Sequence, residues 1–341
     1  MVACHPGRVT TQDEVLADCF REAGVPVIKT SCKANRYHRL LDIVTTLIRL
    51  RHRVTVQCIS IYGGPSFVVE DIASRLGVRF GHRLIFHLHG GALPDFFARY
   101  PRWAHRVLRR AHAIVAPSAF LAREVERMGF PVLVIPNVIK LEDYPFRHRT
   151  SVKPCLFWMR AFHPIWNPMM ALRVLRQVRA THPSATLVMG GEDKGQGSAV
   201  RATAAEWGLT AHVRFAGFLD REAKAQEGGA ADIFLNTNMI DNTPVAVIEA
   251  WAMGLPVIST RVGGIPDLIT HGQTGLLVEA DDHAGMAASV RQLLADVNLA
   301  GHLSSEGRRA AEACSWTSIR PRWEQLFSQL LADAVPSAGA A

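Results

Sequence analysis

The stretch DNTPVAVIEAWAMGLP, residues 241–256, decides how the chain is read. Thr243 followed by Pro244 reads as a helix N-cap and first helical residue. Gly254 reads as the residue that stops the helix. Between them Glu249 is the only residue that is not apolar. A helix that is apolar all round is predicted to be buried. A lone ionised carboxylate there is costly unless it is paired or hydrogen-bonded. Glu249 therefore either has a built-in donor partner or is kept to receive one from a ligand. Two vicinal hydroxyls, as on a ribose, would satisfy both of its oxygens. The helix N-terminus, just after Asp241, also suits a diphosphate.

Working outward, DIFLNT (232–237) and VIST (257–260) flank this helix as short apolar runs, and GLLVEA (275–280) follows. Upstream, CLFWMR (155–160), TLVMGG (186–191) and VRFAG (213–217) read as strands. Helix-period segments such as 167–182 lie between them. The first half shows the same alternation: VTVQCISIY (54–62), LIFHLH (84–89), AIVAPS (113–118) and VLVIPN (132–137), with helical stretches at 95–111 and after 118. Strand–helix alternation predicts an α/β fold with parallel sheets. Two series joined by a polar, Pro-containing link (140–154) predict two Rossmann-like domains facing each other across a central cleft, over 1–140 and 153–316. Ligands in such sheets bind beyond the carboxyl ends of strands. Those ends carry Gly7, Gly63-Gly64, His89-Gly90-Gly91, Arg160, Gly190-Gly191, Asp241 and Gly263-Gly264. No GxGxxG follows a predicted strand, which argues against an NAD-dependent oxidoreductase.

The 341 residues are 48% hydrophobic and 20% charged, which excludes disordered, collagenous and coiled-coil classes. There are 38 Lys+Arg against 30 Asp+Glu, and only Lys29, Lys33, Lys140, Lys153, Lys194 and Lys224 are lysines. The arginine excess suits phosphate or carboxylate partners. Charge alone does not choose among nucleic acid, anionic lipid and nucleotide. No apolar run reaches membrane-spanning length. The N-terminus MVACHPGRVTT has no charged region followed by an apolar core, so it is not read as a signal peptide. Six scattered cysteines with no CxxC, and histidines with no HExxH, give no metal motif; the thiols are expected reduced and mostly buried.

The segment Asp241-(x7)-Glu249 followed by AMGLPVIST and VGGIPDLITHGQTGLLVEADD resembles the signature of family-4 retaining glycosyltransferases of the GT-B fold. That family carries Glu-(x7)-Glu before A-x-G-x-P-V, and DNTPVAVIEA resembles a DNTP variant of it. The resemblance continues through VAPSAFLA (115–122), VIPNVI (134–139), FAGFL (215–219) and SWTSIRPRWEQLF (315–327). It implies that Glu249 binds the ribose of a nucleotide-sugar donor and that Asp241 approaches the transferred sugar. Thr243, Pro244, Gly217, Gly263 and Gly264 would line the donor site. Arg160 matches the family's phosphate-contacting Arg. However, Met159 stands where the family has Gly, and Ile165 or Trp166 where it has Lys. His163 or Lys194 would then supply a second donor. His89 matches a family His that contacts the donor sugar or acceptor. Gly7-Arg8 stands where a Gly-Gly loop touches diphosphate and acceptor, after a first strand, MVAC, that reads short. The segment at about 317–332 would cross back to the first domain as a helix.

The expected function is metal-independent transfer of a sugar, with retention, from a nucleotide-diphosphate sugar to a glycan or lipid-linked hydroxyl acceptor, with no cofactor and no nucleic acid. The expected setting is cytoplasmic polysaccharide or glycolipid synthesis. The basic stretches 38–53 and 99–112 are either solvated helix faces or a peripheral contact with an anionic membrane at its inner face. Two alternatives stand: a catalytically weakened nucleotide-sugar-binding homologue, and another GT-B activity such as a sugar-nucleotide epimerase.

Overall fold

The computed structural model describes residues 10–31, 33 and 35–332. The chain divides into two compact units, Met1–Val138 with Trp316–Ala341, and Ile139–Ser315.

In the first unit four parallel strands, β1 (Val56–Ile61), β2 (Arg83–Leu88), β3 (Ala113–Ala116) and β4 (Leu133–Val134), lie in that order. The pairing sets Ser60 beside His87 and Ile59 beside Phe86. β4 is shorter than VLVIPN suggested. Pro131 and Pro136 bracket it, and proline has no N–H for a ladder; only the Ile135 N–H still reaches the Ala116 carbonyl, at 2.9 Å. The helical stretch at 95–111 is in fact two helices, Leu93–Arg99 and Pro101–Leu108. They break at Tyr100, whose backbone leaves helical angles ahead of the proline. The helix Trp316–Ala332 packs on this unit. Phe20 sits edge-on against Trp316, Trp323 and Phe327 at 5.0, 6.1 and 5.2 Å between ring centres.

The second unit holds six strands: β5 (Cys155–Met159), β6 (Thr186–Gly190), β7 (Val213–Gly217), β8 (Ile233–Asn236), β9 (Val257–Thr260) and β10 (Leu276–Val278). Their order is β10-β9-β8-β5-β6-β7, and every pairing is parallel. Read from β7, the chain visits strands third, second, first, fourth, fifth, sixth, which is a doubly wound sheet. Its topological switch point lies between β5 and β8, where ligands of such sheets bind. Helix Pro168–Arg179 covers one face, burying Met170, Ala171, Val174, Leu175 and Val178 at helical spacing.

The link at 140–154 is not a loose connector. Tyr144 and Arg149 are buried in the second unit. The Arg149 guanidinium donates to the carbonyls of Arg147 and Gly228 at 2.7 Å each and Ala231 at 3.0 Å, and also to Met253. It thus fastens the C-terminal ends of helices Arg221–Ala230 and Val245–Ala252, where orphan carbonyls and the helix dipole favour a cation. Burial, with help from Arg147, pushes its pKa down to about 10. Of the four described cysteines, Cys19 and Cys314 are buried, but Cys155 is half-buried and Cys58 exposed. Cys58 departs from the expected burial because it lies on the outward face of β1.

Candidate active site

The switch point gathers the first cluster. Arg160 leaves β5, and Asp241 lies five residues beyond β8. They form one pair: Arg160 Nη2 lies 2.6 Å from Asp241 Oδ2, with side chains 20% and 13% exposed. Asn238 donates to the same oxygen at 2.7 Å, and the Asn242 N–H to Oδ1 at 2.7 Å. The guanidinium also lies over the Trp166 ring, 4.6 Å from its centre. Its Nε is buried without a partner. A guanidinium carries five N–H donors, and most of these have no partner among the described residues. Burial raises the Asp241 pKa more than Arg160, the Asn242 N–H and Asn238 lower it. The two strand-end loops are laced together. Trp158 Nε1 donates to Thr237 Oγ1 at 2.8 Å, and Thr237 donates to the Trp166 carbonyl at 2.6 Å.

The glycines expected around the site act by letting backbone approach backbone. A Cβ on Gly263 would collide with the Asp241 carbonyl, and one on Gly264 with that of Asn242. Gly263 also sits at φ +53, a region that disfavours side chains. The Gly264 N–H closes the contact on the Asp241 carbonyl at 3.0 Å. Gly217 ends β7 and takes the Gly191 N–H on its carbonyl at 2.6 Å.

Helix Val245–Ala252 is buried from Ala246 to Ala252, Glu249 included. It starts one residue later than Thr243-Pro244 suggested: Pro244 is the N-cap, and no side chain caps this end. Pro244 keeps an extended ψ of 110°, so helical geometry begins at Val245. Gly254, at φ +77, ends the helix as expected. Glu249 has built-in donors. The Tyr144 hydroxyl donates to Oε1 at 2.7 Å, and Lys224 Nζ to the same oxygen at 2.8 Å. Among the described residues none donates to Oε2.

In the first unit His89 follows β2, and its imidazole is buried. His89 Nε2 lies 3.0 Å from Asp13 Oδ2, and His87 Nδ1 lies 2.8 Å from Asp13 Oδ1. Ser60 also donates to Asp13. The Tyr62 ring stacks on His89 at 5.1 Å and 20°. Burial alone would raise the Asp13 pKa, but the charges of His89 and His87 and their hydrogen bonds hold it well below the usual range. Burial and the neighbouring His89 lower the His87 pKa, against the pull of Asp13. Asp13, His87 and His89 are the residues, among those described, grouped closely enough to hold a cation, with ligand atoms within 4.8 Å. Here the carboxylate spends both oxygens on imidazoles and Ser60. Gly7 lies outside the described residues.

Two further expectations concern a second cation. Lys194 Nζ is paired with Glu192 at 2.6 Å, and His163 Nδ1 accepts the Ile165 N–H at 3.2 Å. The sequence reading did not single out Asp13, Tyr144, Lys224 or Asn238. Thr11 and Glu14 form a capping box that marks the start of helix Gln12–Glu22 and so locates Asp13 in its first turn. Nothing local marks Tyr144 or Lys224, which lie 105 and 25 residues from Glu249.

Residues 2–138 match the family model described as Glycosyl transferase 4-like domain, and residues 153–296 that described as Glycosyl transferases group 1. The chain is 26% identical over 234 residues to the glycogen synthase of Mycobacterium tuberculosis, covering 65% of this chain and 55% of that one. It is 33% identical over 149 residues to the D-inositol 3-phosphate glycosyltransferase of Jonesia denitrificans, covering 43% and 35%. The chain thus spans about half, or less, of the length of these curated relatives. Sucrose-phosphate synthase from Thermosynechococcus elongatus superposes with a TM-score of 0.76 at 20% identity, covering 94% of this chain and 93% of that one. Anabaena HepE in complex with UDP gives 0.73 at 16%, covering 92% and 89%. At such identities the likeness speaks for the fold, two parallel-sheet units of GT-B type. The two halves of the chain are thus matched in order by two glycosyl transferase models, and the chain has the GT-B fold.

Proposed function

We propose that the protein transfers a sugar, with retention at the anomeric carbon, from a nucleotide-diphosphate sugar to a hydroxyl acceptor. One observation carries the reading: at the switch point of the second unit, a guanidinium with spare donors stands beside a half-buried carboxylate, Arg160 with Asp241. The spare N–H groups suit a diphosphate and would stabilise the charge that builds on it as the anomeric C–O bond breaks. The uncapped N-terminus of helix Val245–Ala252 adds a second anion-favouring group. Asp241 is assigned to the transferred hexose and Glu249 to the ribose. His89, held by Asp13, is assigned to positioning sugar and acceptor. The acceptor oxygen bonds to the anomeric carbon, and its proton passes to the departing phosphate. Anabaena HepE forms complexes with UDP and with UDP-glucose, which supports a UDP-sugar donor here.

A lipid-linked or glycan acceptor and docking on an anionic membrane are part of the same proposal. Helix Arg36–Leu50 exposes Tyr37 (66%), Leu41 (64%) and Ile48 (43%) along one face, and Arg49, Arg51 and Arg53 are exposed at its end. The stretch at 99–112 exposes Arg99, Arg102, Arg106 and Arg109 with Tyr100 as its one large exposed apolar side chain, which supports a solvated face. Among the described residues no helix is long and apolar enough to cross a membrane.

The test is donor binding and turnover with a panel of UDP- and GDP-sugars. Arg160→Ala is expected to lower turnover about 10²–10³-fold, with a smaller effect on donor affinity. Unchanged turnover would remove Arg160 from the chemistry. A non-catalytic nucleotide-sugar binder is the second reading. It is favoured by Ile165 and Trp166 standing where a lysine is expected and by Lys194 being spent on Glu192. Donor binding with no transfer and no hydrolysis across the panel would select it.

A further inference from the structure

The fold treats the two oxygens of Glu249 differently. Oε1 receives both the Tyr144 hydroxyl, at 2.7 Å, and Lys224 Nζ, at 2.8 Å. Oε2 receives no donor from the described residues, and the Glu249 side chain keeps 8% of its exposure. A carboxylate offers about four lone-pair positions, two on each oxygen. Tyr144 and Lys224 fill the two on Oε1. The two that remain are both on Oε2, the oxygen open to a ligand.

The donors are held from several directions. Asp143, next to Tyr144, pairs with Arg221 at 3.1 Å, on the same helix as Lys224. Arg149 ties down the far end of that helix through Gly228 and Ala231, and the far end of the Glu249 helix through Met253. Tyr144 is buried, and its single O–H is spent on Glu249. Lys224 is one-fifth exposed and supplies the compensating charge. The carboxylate, set in an otherwise apolar helix, is thereby fixed in rotation and left without a protein donor on one oxygen.

We infer that Tyr144 and Lys224 are positioning residues that reserve Oε2 of Glu249 for the vicinal hydroxyl pair of a ribose. Both the 2′ and 3′ hydroxyls then donate to a single oxygen, rather than one to each. The inference rests on the reading of Glu249 as the ribose acceptor. It assigns the specificity for ribose over deoxyribose to side chains that do not themselves touch the sugar.

The experiment is isothermal titration of the full chain with UDP and GDP, and with the 2′-deoxy and 3′-deoxy forms of whichever binds more tightly. Wild type is compared with Lys224→Met, Tyr144→Phe and Glu249→Gln. Hydrogen bonds to a charged acceptor are worth enough for a ribose preference of about 10-fold or more for each hydroxyl. Wild type is expected to show that preference for both hydroxyls. Lys224→Met and Tyr144→Phe are expected to reduce it to roughly 3-fold or less, since a freed Oε1 and a turning carboxylate no longer define one geometry. A role confined to holding two helices together would lower stability and leave the ratio alone. If both variants keep the wild-type ratio, the positioning role is overturned while the ribose reading stands. If wild type binds ribo and deoxy forms equally and Glu249→Gln binds unchanged, the ribose reading itself is overturned. Tyr144→Phe removes one oxygen only, so the test survives if Lys224→Met does not fold.

Discussion

Replacing Arg160 by methionine removes the guanidinium but keeps an unbranched side chain for the Trp166 ring. Asp241 then loses its only cationic partner among the described residues and keeps the Asn238 amide and the Asn242 N–H. Removing one member of a buried pair costs about 3–5 kcal/mol. Here the side chains retain 20% and 13% of their exposure, so about 2–3 kcal/mol is expected at pH 8. The sign of the pH dependence follows from Asp241. Burial already raises its folded pKa, and losing Arg160 raises it further. A group with a raised folded pKa favours folding below its unfolded pKa, and that contribution is lost as pH rises through the folded value. The penalty of Arg160→Met should therefore shrink as the pH falls and Asp241 takes up a proton. Asp241→Asn alone strands Arg160 and should cost about 1–2 kcal/mol. The double variant should cost less than the sum of the singles, with a coupling of about 1.5–3 kcal/mol. Because the chain has two units, the free energies are read from native-state hydrogen exchange in peptides covering β5 and β8, not from one global midpoint. Single-variant costs that add to within about 0.5 kcal/mol, or an Arg160→Met penalty that does not shrink as the pH falls, would refute the reasoning.

Two further outcomes are expected. Glu70, buried behind Tyr62 and holding its N–H at 3.0 Å, has its carboxyl pushed up to about 8 by burial. Its contribution to stability is complete below the ordinary carboxyl range and is lost as pH rises through about 8, at up to about 1.4 kcal/mol per pH unit. Glu70→Gln should flatten that slope between pH 5 and 8 in native-state hydrogen exchange of peptides covering β1; parallel profiles for the two proteins would disprove the assignment. For the membrane contact, wild type should float with vesicles rich in anionic lipid at low salt, less so at high salt, and the Leu41→Ser, Ile48→Ser double variant should stay behind. Failure of wild type to float at low salt ends that proposal.

Much of the architecture was legible because the strands are short apolar runs closed by glycine or a polar residue, a pattern set by neighbours in sequence. The buried helix was legible for the same reason: seven consecutive residues, Ala246–Ala252, allow no water-facing side. Where local reading slipped, proline geometry was responsible. Pro101 cut one helix into two, Pro244 became a cap instead of a first helical residue, and Pro131 and Pro136 trimmed β4. The candidate site was half legible. Arg160 and His89 stand out at the ends of apolar runs, Asp241 just ahead of the apolar helix and Glu249 inside it. Their partners do not, because a partner's identity depends on which distant segment the sheet brings near. Asp13 meets His87 across 74 residues, and Tyr144 meets Glu249 across 105.

The sequence by itself determined the alternation of strand and helix, the burial of residues 246–252, and the anomaly of one carboxylate among apolar neighbours. These depend on propensity and periodicity, which act over a few residues. Only the tertiary structure decided the strand order that puts the switch point between β5 and β8, and so sets Arg160 against Asp241. It also resolved the choice left open for Glu249. The sequence allowed a protein donor or a ligand donor; the fold puts two protein donors on one oxygen and leaves the other open. That asymmetry is a matter of direction in space, and no spacing along the chain encodes it.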